Sequence, residues 1–459
     1  MPLQFWPRLM HICRKWRRIV FASQRALHLR LFCTHGTPVL KALDCWPTLL
    51  IAVKYERPSA CDPPALEDED NIMAALEESD RVSSISLTVT SSLLEKLSAI
   101  ERPFSELEDL VLLSRDSVPL TLPSAFRWGP RLRTLHLTRA AIPTLPQLLA
   151  PSRGIVDLQL HEIPSDGYFS PQAFANALSG MTQLRTLSLH FLSLHFLSFT
   201  LRRNYLGLPP PPGERVVLPT LTCFKYRGTS KYLDTLVTRI DAPRLGDIDI
   251  TFFSQPTMDA LQLGLFIKRI EMQESHHRAD ILSSGHAISI SFTQPEAPTR
   301  IVLQVSCKKL TRQLSYMAQI CNGLSVFLLG VEDLRISATQ PSSGQDDSER
   351  QEWLNLIHPF RGIKWVHVAG NHSTNIVLAL PLRHSKMRCD TVLPAIHKLC
   401  IREPEPRYAP LREAVVSFMH SRRLSGHIIG VEYERLCRVS GTGKMYAQRY
   451  HHYLLTRLE

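Results

Sequence analysis

The sequence predicts an α/β chain: an irregular solenoid in which helices lie outside a curved parallel sheet, preceded by a short helical segment. Three observations predict it. An apolar-x-x-apolar-x-apolar pattern returns many times along the chain. Helix-opening signals fall between successive copies. Proline is abundant, at 32 against 20 glycines, which fits many short elements joined by stiff connections. With 44% hydrophobic residues spread throughout, the chain can bury a sizeable core.

The triplets read Val82-Ile85-Leu87, Leu107-Leu110-Leu112, Leu132-Leu135-Leu137, Ile155-Leu158-Leu160, Leu184-Leu187-Leu189 and Leu221-Phe224-Tyr226. They continue as Leu245-Ile248-Ile250, Val331-Leu334-Ile336, Ile363-Val366-Val368 and Ile396-Leu399-Ile401, with a weaker early copy at Trp46-Leu49-Ile51. Starts at 82, 107, 132 and 155 are spaced 25, 25 and 23 residues apart, the leucine-rich-repeat interval. The last two apolar positions of each triplet alternate along a strand and so point to one face. One such strand cannot bury that face alone, whereas stacked neighbours can. The residues between them are then expected on the opposite face. Spacing widens after residue 184, and HAISISFT followed by RIVLQV reads as two close, hairpin-like strands. A Leu-rich α/β domain that is not a solenoid is the competing architecture.

Between the strands, Ser92-Leu93-Leu94-Glu95 reads as a capping box for a helix to Ile100. Ser170-Pro171 supplies an N-cap and a first-turn proline, with Gly180 able to close that helix. Residues 66–80 form an acidic helix with Ile72, Ala75 and Leu76 facing the core. Ser348 opens a helix containing Trp353, Leu356 and Ile357; others are expected at 231–240, 257–271, 309–322 and 410–422. The pentad SLHFL occurs twice, at 188–192 and 193–197. Five is odd and the strand period is two, so the second copy calls for a bulge. His190 and His195 read as packing or solvated residues rather than metal ligands. Gly207–Gly213 is a stiff polyproline loop.

Net charge is +11, yet residues 1–31 hold seven Lys/Arg and no acid, and 383–459 hold fourteen against seven acids. The body between them is left slightly acidic, which disfavours nucleic-acid binding along it. No C-x-x-C pair occurs among the ten cysteines, and the Cys437, His451, His452 set lacks the second nearby Cys a zinc finger needs. Reduced, mostly buried thiols are expected. Gly441-Thr442-Gly443-Lys444 lacks the upstream glycine and the Ser/Thr of a phosphate loop. No nucleophile-elbow, zinc-protease or dinucleotide motif occurs. The sequence therefore predicts no enzyme, no cofactor, no metal site and no catalytic residue. No run is long enough to span a membrane and no secretory leader is evident, so a cytoplasmic or nuclear setting without a membrane partner is expected.

Residues 5–23, FWPRLMHICRKWRRIVFAS, place Leu9, Cys13, Trp16 and Val20 on one helical face with arginines and a lysine around the rest. The unit Cys13-Arg14-Lys15-Trp16 resembles the Cys-Arg-x-Trp that ends an F-box, a motif often followed by leucine-rich repeats. RLFCTHGTPV, LPSAFRWGPRLRTLHLT, APRLGDIDITFFSQPTMDA and AISISF extend the likeness over most of residues 11–400, to fungal (basidiomycete) F-box proteins with degenerate repeats. The resemblance implies the substrate receptor of a Skp1–cullin–F-box ubiquitin ligase, in which the box holds a Skp1-like adaptor and the repeats hold a protein client. The Leu-Pro opening and first two helices of the box have no counterpart here, so a box truncated at its N-terminus is expected. The segments are then 1–35, a partial F-box-like helix; 36–405, the repeat domain; and 406–459, a basic helical tail. Adaptor contacts fall to Leu9, Ile12, Cys13, Trp16 and Val20. Client contacts fall to strand positions Glu108, Asp109, Arg133, Thr134, Arg185, Thr186, Asp247 and Asp249. A binding scaffold without ligase coupling, or a basic-tail nucleic-acid binder, are the alternatives.

Overall fold

The computed structural model describes residues 13–15, 18, 28–34, 36, 39–55, 66–114, 131–192, 215–255, 257–258, 260–270, 277–293, 299–339, 347–370, 372–380, 393–403, 409–424, 428–438 and 445–451. The chain is α/β, with mostly parallel strands alternating with helices. It divides into two compact units, 1–222 and 223–459.

In the first unit, seven strands lie side by side in chain order, all parallel: β1 (His28–Phe32), β2 (Leu50–Tyr55), β3 (Val82–Val89), β4 (Asp109–Ser114), β5 (Thr134–Thr138), β6 (Asp157–Ile163) and β7 (Thr186–Phe191). A two-residue β8 (Val216–Val217) follows. Parallel neighbours need crossovers. These contain α1 (Val39–Cys45), α2 (Leu66–Glu77), α3 (Ser91–Ser98), α4 (Leu145–Leu149) and α5 (Pro171–Leu178).

The register explains the triplets. Leu31, Val53, Ile85, Leu110, Leu135, Leu158 and Leu187 stand opposite one another across the seven strands. Leu87, Leu112, Leu137, Leu160 and Leu189 form the next rung, and every one of these side chains is buried. At about 25 cal/mol per Å² of apolar surface, burying each such side chain contributes roughly 1.5–3 kcal/mol. Most intervening residues are partly exposed, although Ala52 and Ser188 are buried; the alternation is plainest in β5, where Leu135 and Leu137 are buried and Thr134, His136 and Thr138 are not. Parallel sheets covered by helices on both faces read instead as continuous apolar runs. Among the described residues, this sheet is covered on one face and the other is open.

Two local expectations change. The early copy Trp46-Leu49-Ile51 is out of register: Val53 and Tyr55 stand opposite Ile85 and Leu87, and Trp46 is only half-buried. The pairing also shifts by one residue there, with Ile51 opposite Val82 and Ala52 opposite Ser84. The N-cap of α3 is Thr90, whose hydroxyl accepts from the Leu93 amide at 3.3 Å, and Ser92 lies within the helix. Any hydroxyl residue three positions before a free amide can cap, and two neighbours qualified. At α5 the cap is as expected, with Ser170 accepting from the Ala173 amide at 3.1 Å and Pro171 in the first turn. The first SLHFL copy supplies β7. Residues 193–197 and the polyproline loop lie outside the described residues. A register shift does occur here, but in β6, between Leu160 and Ile163, where Glu162 adopts a φ of 52°.

The second unit runs in the spatial order β9 (Cys223–Gly228), β11 (Asp247–Phe253), β14 (Arg300–Ser306), β13 (Ala287–Thr293), β12 (Arg278–Ser283), β15 (Asp333–Ala338), β16 (Trp365–Gly370), β17 (Lys398–Glu403), β18 (Gly430–Arg438) and β19 (Met445–His451). A short β10 (Ile240–Asp241) precedes β11. Helices α6 (Ser230–Val237), α7 (Leu261–Arg269), α8 (Leu310–Gly323), α9 (Ser325–Leu328), α10 (Asp347–Ile357), α11 (Ser373–Ala379) and α12 (Ala409–Leu424) lie between strands. The hairpin read from the sequence is β13–β14, antiparallel, and β13 also runs antiparallel to β12. β14 is parallel to β11, and β12 to β15. Within 406–459, where a basic helical tail is expected, α12 is followed by β18. That strand continues the parallel ladder, with Val431 opposite Leu399 and Tyr433 opposite Ile401. β19 then pairs antiparallel with β18.

Gly370 ends β16 at a φ of 92°, and a Cβ there would collide with the Ala338 carbonyl. Only glycine suits that turn. Beyond it, His372 Nδ1 lies 2.6 Å from Glu349 Oε1, and Trp353 Nε1 donates to the same oxygen at 3.2 Å. Both His372 and Glu349 are buried, which fastens α11 to α10. Burial pushes the Glu349 carboxyl up, but hydrogen bonds from His372, Asn375 and Trp353 more than offset it and hold it below the ordinary range.

Candidate protein-interaction face

The open face is built by the same strands that make the core. Because side chains alternate, each buried rung leaves a row on the other side. In the first unit one row runs Arg30, Ala52, Ser84, Asp109, Thr134, Asp157, Thr186. The next contains Lys54, Ser86, Val111, His136, Gln159 and Ser188.

On β5–β7 these rows are tied together. His136 Nε2 lies 2.9 Å from Asp157 Oδ2, and Gln159 Nε2 donates to both Asp157 oxygens at 3.1 Å. The His161 and His190 rings stack, with centroids 4.4 Å apart and planes 10° from parallel. The buried Ser188 hydroxyl sits against both, 2.9 Å from His161 Nε2 and 3.3 Å from His190 Nε2. The Arg139–Glu162 ion pair flanks the bulge, at 2.5 Å.

In the second unit the open face is laced with ion pairs. Arg278 meets Asp280 at 2.9 Å, Arg335 meets Asp333 at 3.3 Å, His367 lies 3.5 Å from Asp333, and Lys398 meets Glu432 at 2.5 Å. The Cys400 thiol also donates to Glu432, at 3.5 Å. Exposed apolar groups interrupt the charges at Leu282 and Trp365.

The structure divides the client positions read from the sequence. Asp109, Thr134 and Thr186 share one open row, with Asp157 between the last two. Asp247 and Asp249 are half-exposed on the open face of β11, and Asp247 accepts from the Cys223 thiol at 3.4 Å. Glu108, Arg133 and Arg185 each stand one residue ahead of a strand, at its rim rather than on its face. Arg133 and Arg185 are exposed there, and Glu108 is half-buried. Of the adaptor positions, Cys13 is exposed, whereas Leu9, Ile12, Trp16 and Val20 lie outside the described residues. So do Gly441–Lys444 and His452.

The histidine and serine positions of β5–β7 were missed as a group. Their signal was present in THLT-like words, TLHLT, DLQLH and TLSLH, where the letters between the leucines carry the open face.

Cys33 and Cys321 are buried, and burial pushes both thiols up to about 12, which keeps them protonated. Cys400 is buried too, Cys223 and Cys307 are half-buried, and Cys45 is exposed. Among the described residues, no group of three or more His, Cys, Asp or Glu side chains is arranged to hold a metal, and no helix is long and apolar enough to cross a membrane. No family model matches the chain, and no curated protein sequence matches it.

Proposed function

We propose that the chain is a protein-interaction module: an irregular leucine-rich-repeat receptor that captures a protein client on its open sheet faces. The single observation that carries this reading is one-sided burial. Aliphatic rungs face the helices, while rows of hydroxyl, imidazole and charged groups are left facing outward in register. Rigid strands hold such groups in fixed positions, which a specific interface needs. The module is not an enzyme and takes no cofactor.

The likeness of Cys13-Arg14-Lys15-Trp16 to the end of an F-box supports substrate recognition for a Skp1–cullin–F-box ubiquitin ligase, or a degenerate relative of it, in the cytoplasm or nucleus. Leu9, Ile12, Cys13, Trp16 and Val20 would then meet the Skp1-like adaptor. Asp109, Thr134, Thr186, Asp247 and Asp249 would meet the client, with Glu108, Arg133 and Arg185 at its rim.

The test uses the full chain as bait for proximity labelling in cells, with Skp1 and client recovery measured separately. Thr134→Glu with Thr186→Glu, or Asp247→Arg with Asp249→Arg, should lower client recovery at least tenfold and leave Skp1 unchanged. Client capture that ignores every open-face change sinks the receptor reading. Capture of a client without Skp1 leaves a scaffold uncoupled from a ligase. Partners that are nucleic acids, lost steeply with salt and on removal of 383–459, favour the basic tail instead.

A further inference from the structure

We infer that the helical side of the second unit carries an interaction surface separate from the open sheet faces, and that it takes an acidic amphipathic helix of a partner protein.

This surface breaks the pattern of the other helices. Where α5 and α10 meet solvent they show Gln172, Asn176, Asp347, Ser348 and Gln351. Helices α7 and α9 instead show Leu261, Leu265 and Val326, with Leu329 directly after α9, each between 47% and 65% exposed. Other residues make the core contacts of both helices. Leu263, Phe266 and Ile267 are buried and seat α7. Leu328 is buried and the Phe327 ring meets Phe292 edge-on at 5.1 Å, which seats α9.

The four exposed groups belong to one patch, because α7, α8 and α9 pack on one another. At the α7–α8 crossing, a Cβ on Gly264 would collide with the Gly323 carbonyl oxygen, and one on Gly323 with the Ala260 carbonyl. Backbone therefore meets backbone there. Leu261 and Leu265 lie on either side of Gly264 within one helical turn, and Val326 follows Gly323 by three residues. The Leu329 carbonyl is held in turn against Gly362.

Charge and size select the occupant. Helices α7, α8 and α9 contain no acidic residue and carry Lys268, Arg269 and Arg312. Arg269 is paired with Asp241 at 2.6 Å. Lys268 is exposed, continues the Leu261–Leu265 stripe at i+7, and has no ion-pair partner among the described residues. A carboxylate is its complement. A second copy of the chain would set two basic patches face to face. The patch also presents only roughly 400 Å² of apolar surface, about half of what each partner of a stable dimer buries. An anionic bilayer calls for about four or more clustered basic side chains, and these helices hold fewer. A single helix fits, since its apolar anchors recur at i, i+3, i+4 and i+7 and its flanks can carry the acids.

The experiment is fluorescence anisotropy of a fluorescein-labelled peptide of about 15 residues, with leucine at i, i+3, i+4 and i+7 and glutamate elsewhere, titrated with the full chain. Saturable binding with a Kd on the order of 10 µM is expected. A peptide of the same composition with its leucines scrambled should bind at least tenfold more weakly, and so should the intact peptide against Leu265→Glu with Val326→Glu. Lys268→Glu should weaken binding about threefold and favour a leucine–lysine counterpart of the peptide. Should the double glutamate variant lose its circular-dichroism signature, Leu265→Ala with Val326→Ala replaces it. No saturable binding, equal binding of the scrambled peptide, or binding that ignores the patch variants overturns the proposal. So does sedimentation showing a dimer, or binding to phosphatidylserine vesicles, that the same variants abolish, since either names a different occupant. Thr134→Glu with Thr186→Glu should leave peptide binding unchanged. If that pair abolishes it, the peptide sits on the open face and the helical surface falls.

Discussion

The open faces of the two units are made by the same rule and carry different chemistry. In the first, β5–β7 present Thr, His, Gln and Ser around a single engaged aspartate. In the second, β12 and β15–β18 present fixed ion pairs, Arg278–Asp280, Arg335–Asp333 and Lys398–Glu432. The buried faces scarcely differ: aliphatic residues dominate both, with Tyr55 and Phe191 among them in one and Phe224, Tyr226 and Phe292 in the other. The aliphatic rungs secure the fold, and most positions between them are left facing outward.

The largest effect should show this division of labour within a single strand. Leu135→Asp sets a carboxylate in the buried ladder of β5 and should cost about 4 kcal/mol or more, unfolding its neighbourhood in chemical denaturation. Thr134→Asp, one residue away on the open face, should shift the same curve by less than about 0.5 kcal/mol. Leu334→Asp in β15 should match Leu135→Asp. Equal costs at Leu135 and Thr134 would mean that the sheet is covered on both faces.

A smaller effect distinguishes the units through acid. The Glu349 carboxyl is held below its ordinary 4.5 in the folded chain. Its contribution is therefore present above that value and is lost as pH falls through the lowered one. Denaturation curves should show the second unit weakening in acid below about pH 4.5. Glu349→Gln should remove that acid step and cost about 2 kcal/mol at neutral pH, because hydrogen bonds to the charged carboxylate are lost. An unchanged acid limb in the variant would show that other carboxylates set it.

The smallest effect should be alike in both units. Thr90 caps α3 in the first and Thr229 caps α6 in the second, each accepting a backbone amide two residues into its helix. Replacing either with alanine should cost about 1 kcal/mol by thermal melting. A much larger loss at one of them would reveal a role beyond capping.

The strands were legible because their signal is doubled. Leu132, Leu135 and Leu137 repeat the spacing of Leu107, Leu110 and Leu112, and both copies meet in register. Where one copy is irregular, the reading slipped. In β2 the triplet Trp46-Leu49-Ile51 falls four residues early, because Val53 and Tyr55 hold the places of Ile85 and Leu87. The β18 strand is absent from the sequence reading although Ile428-Val431-Tyr433 has the spacing of Leu221-Phe224-Tyr226, and Val431 and Tyr433 stand opposite Leu399 and Ile401. The candidate face was only half legible. Parity along a strand separates Thr134 from Leu135, but it does not reveal that Asp157 and His136 meet, or that His161 and His190 stack. The first contact follows from the β5–β6 register and the second lies beside the β6–β7 register shift, and no local word spells either. Arg133 and Arg185 were assigned to the face because they flank strand residues, and parity has no meaning before a strand begins.

The antiparallel β13 has a consequence for synthesis on the ribosome. Across the first unit, each new strand finds its neighbour already emerged, so the sheet can lengthen as the chain appears. At β11 that growth must pause, because its next neighbour is β14, which follows β12 and β13 in the chain. Until the hairpin returns, β11 offers a bare edge and β12 has no seat beside it. Nascent chains halted between residues 255 and 300 should therefore be the ones chaperones hold longest, and those most prone to pair wrongly with one another.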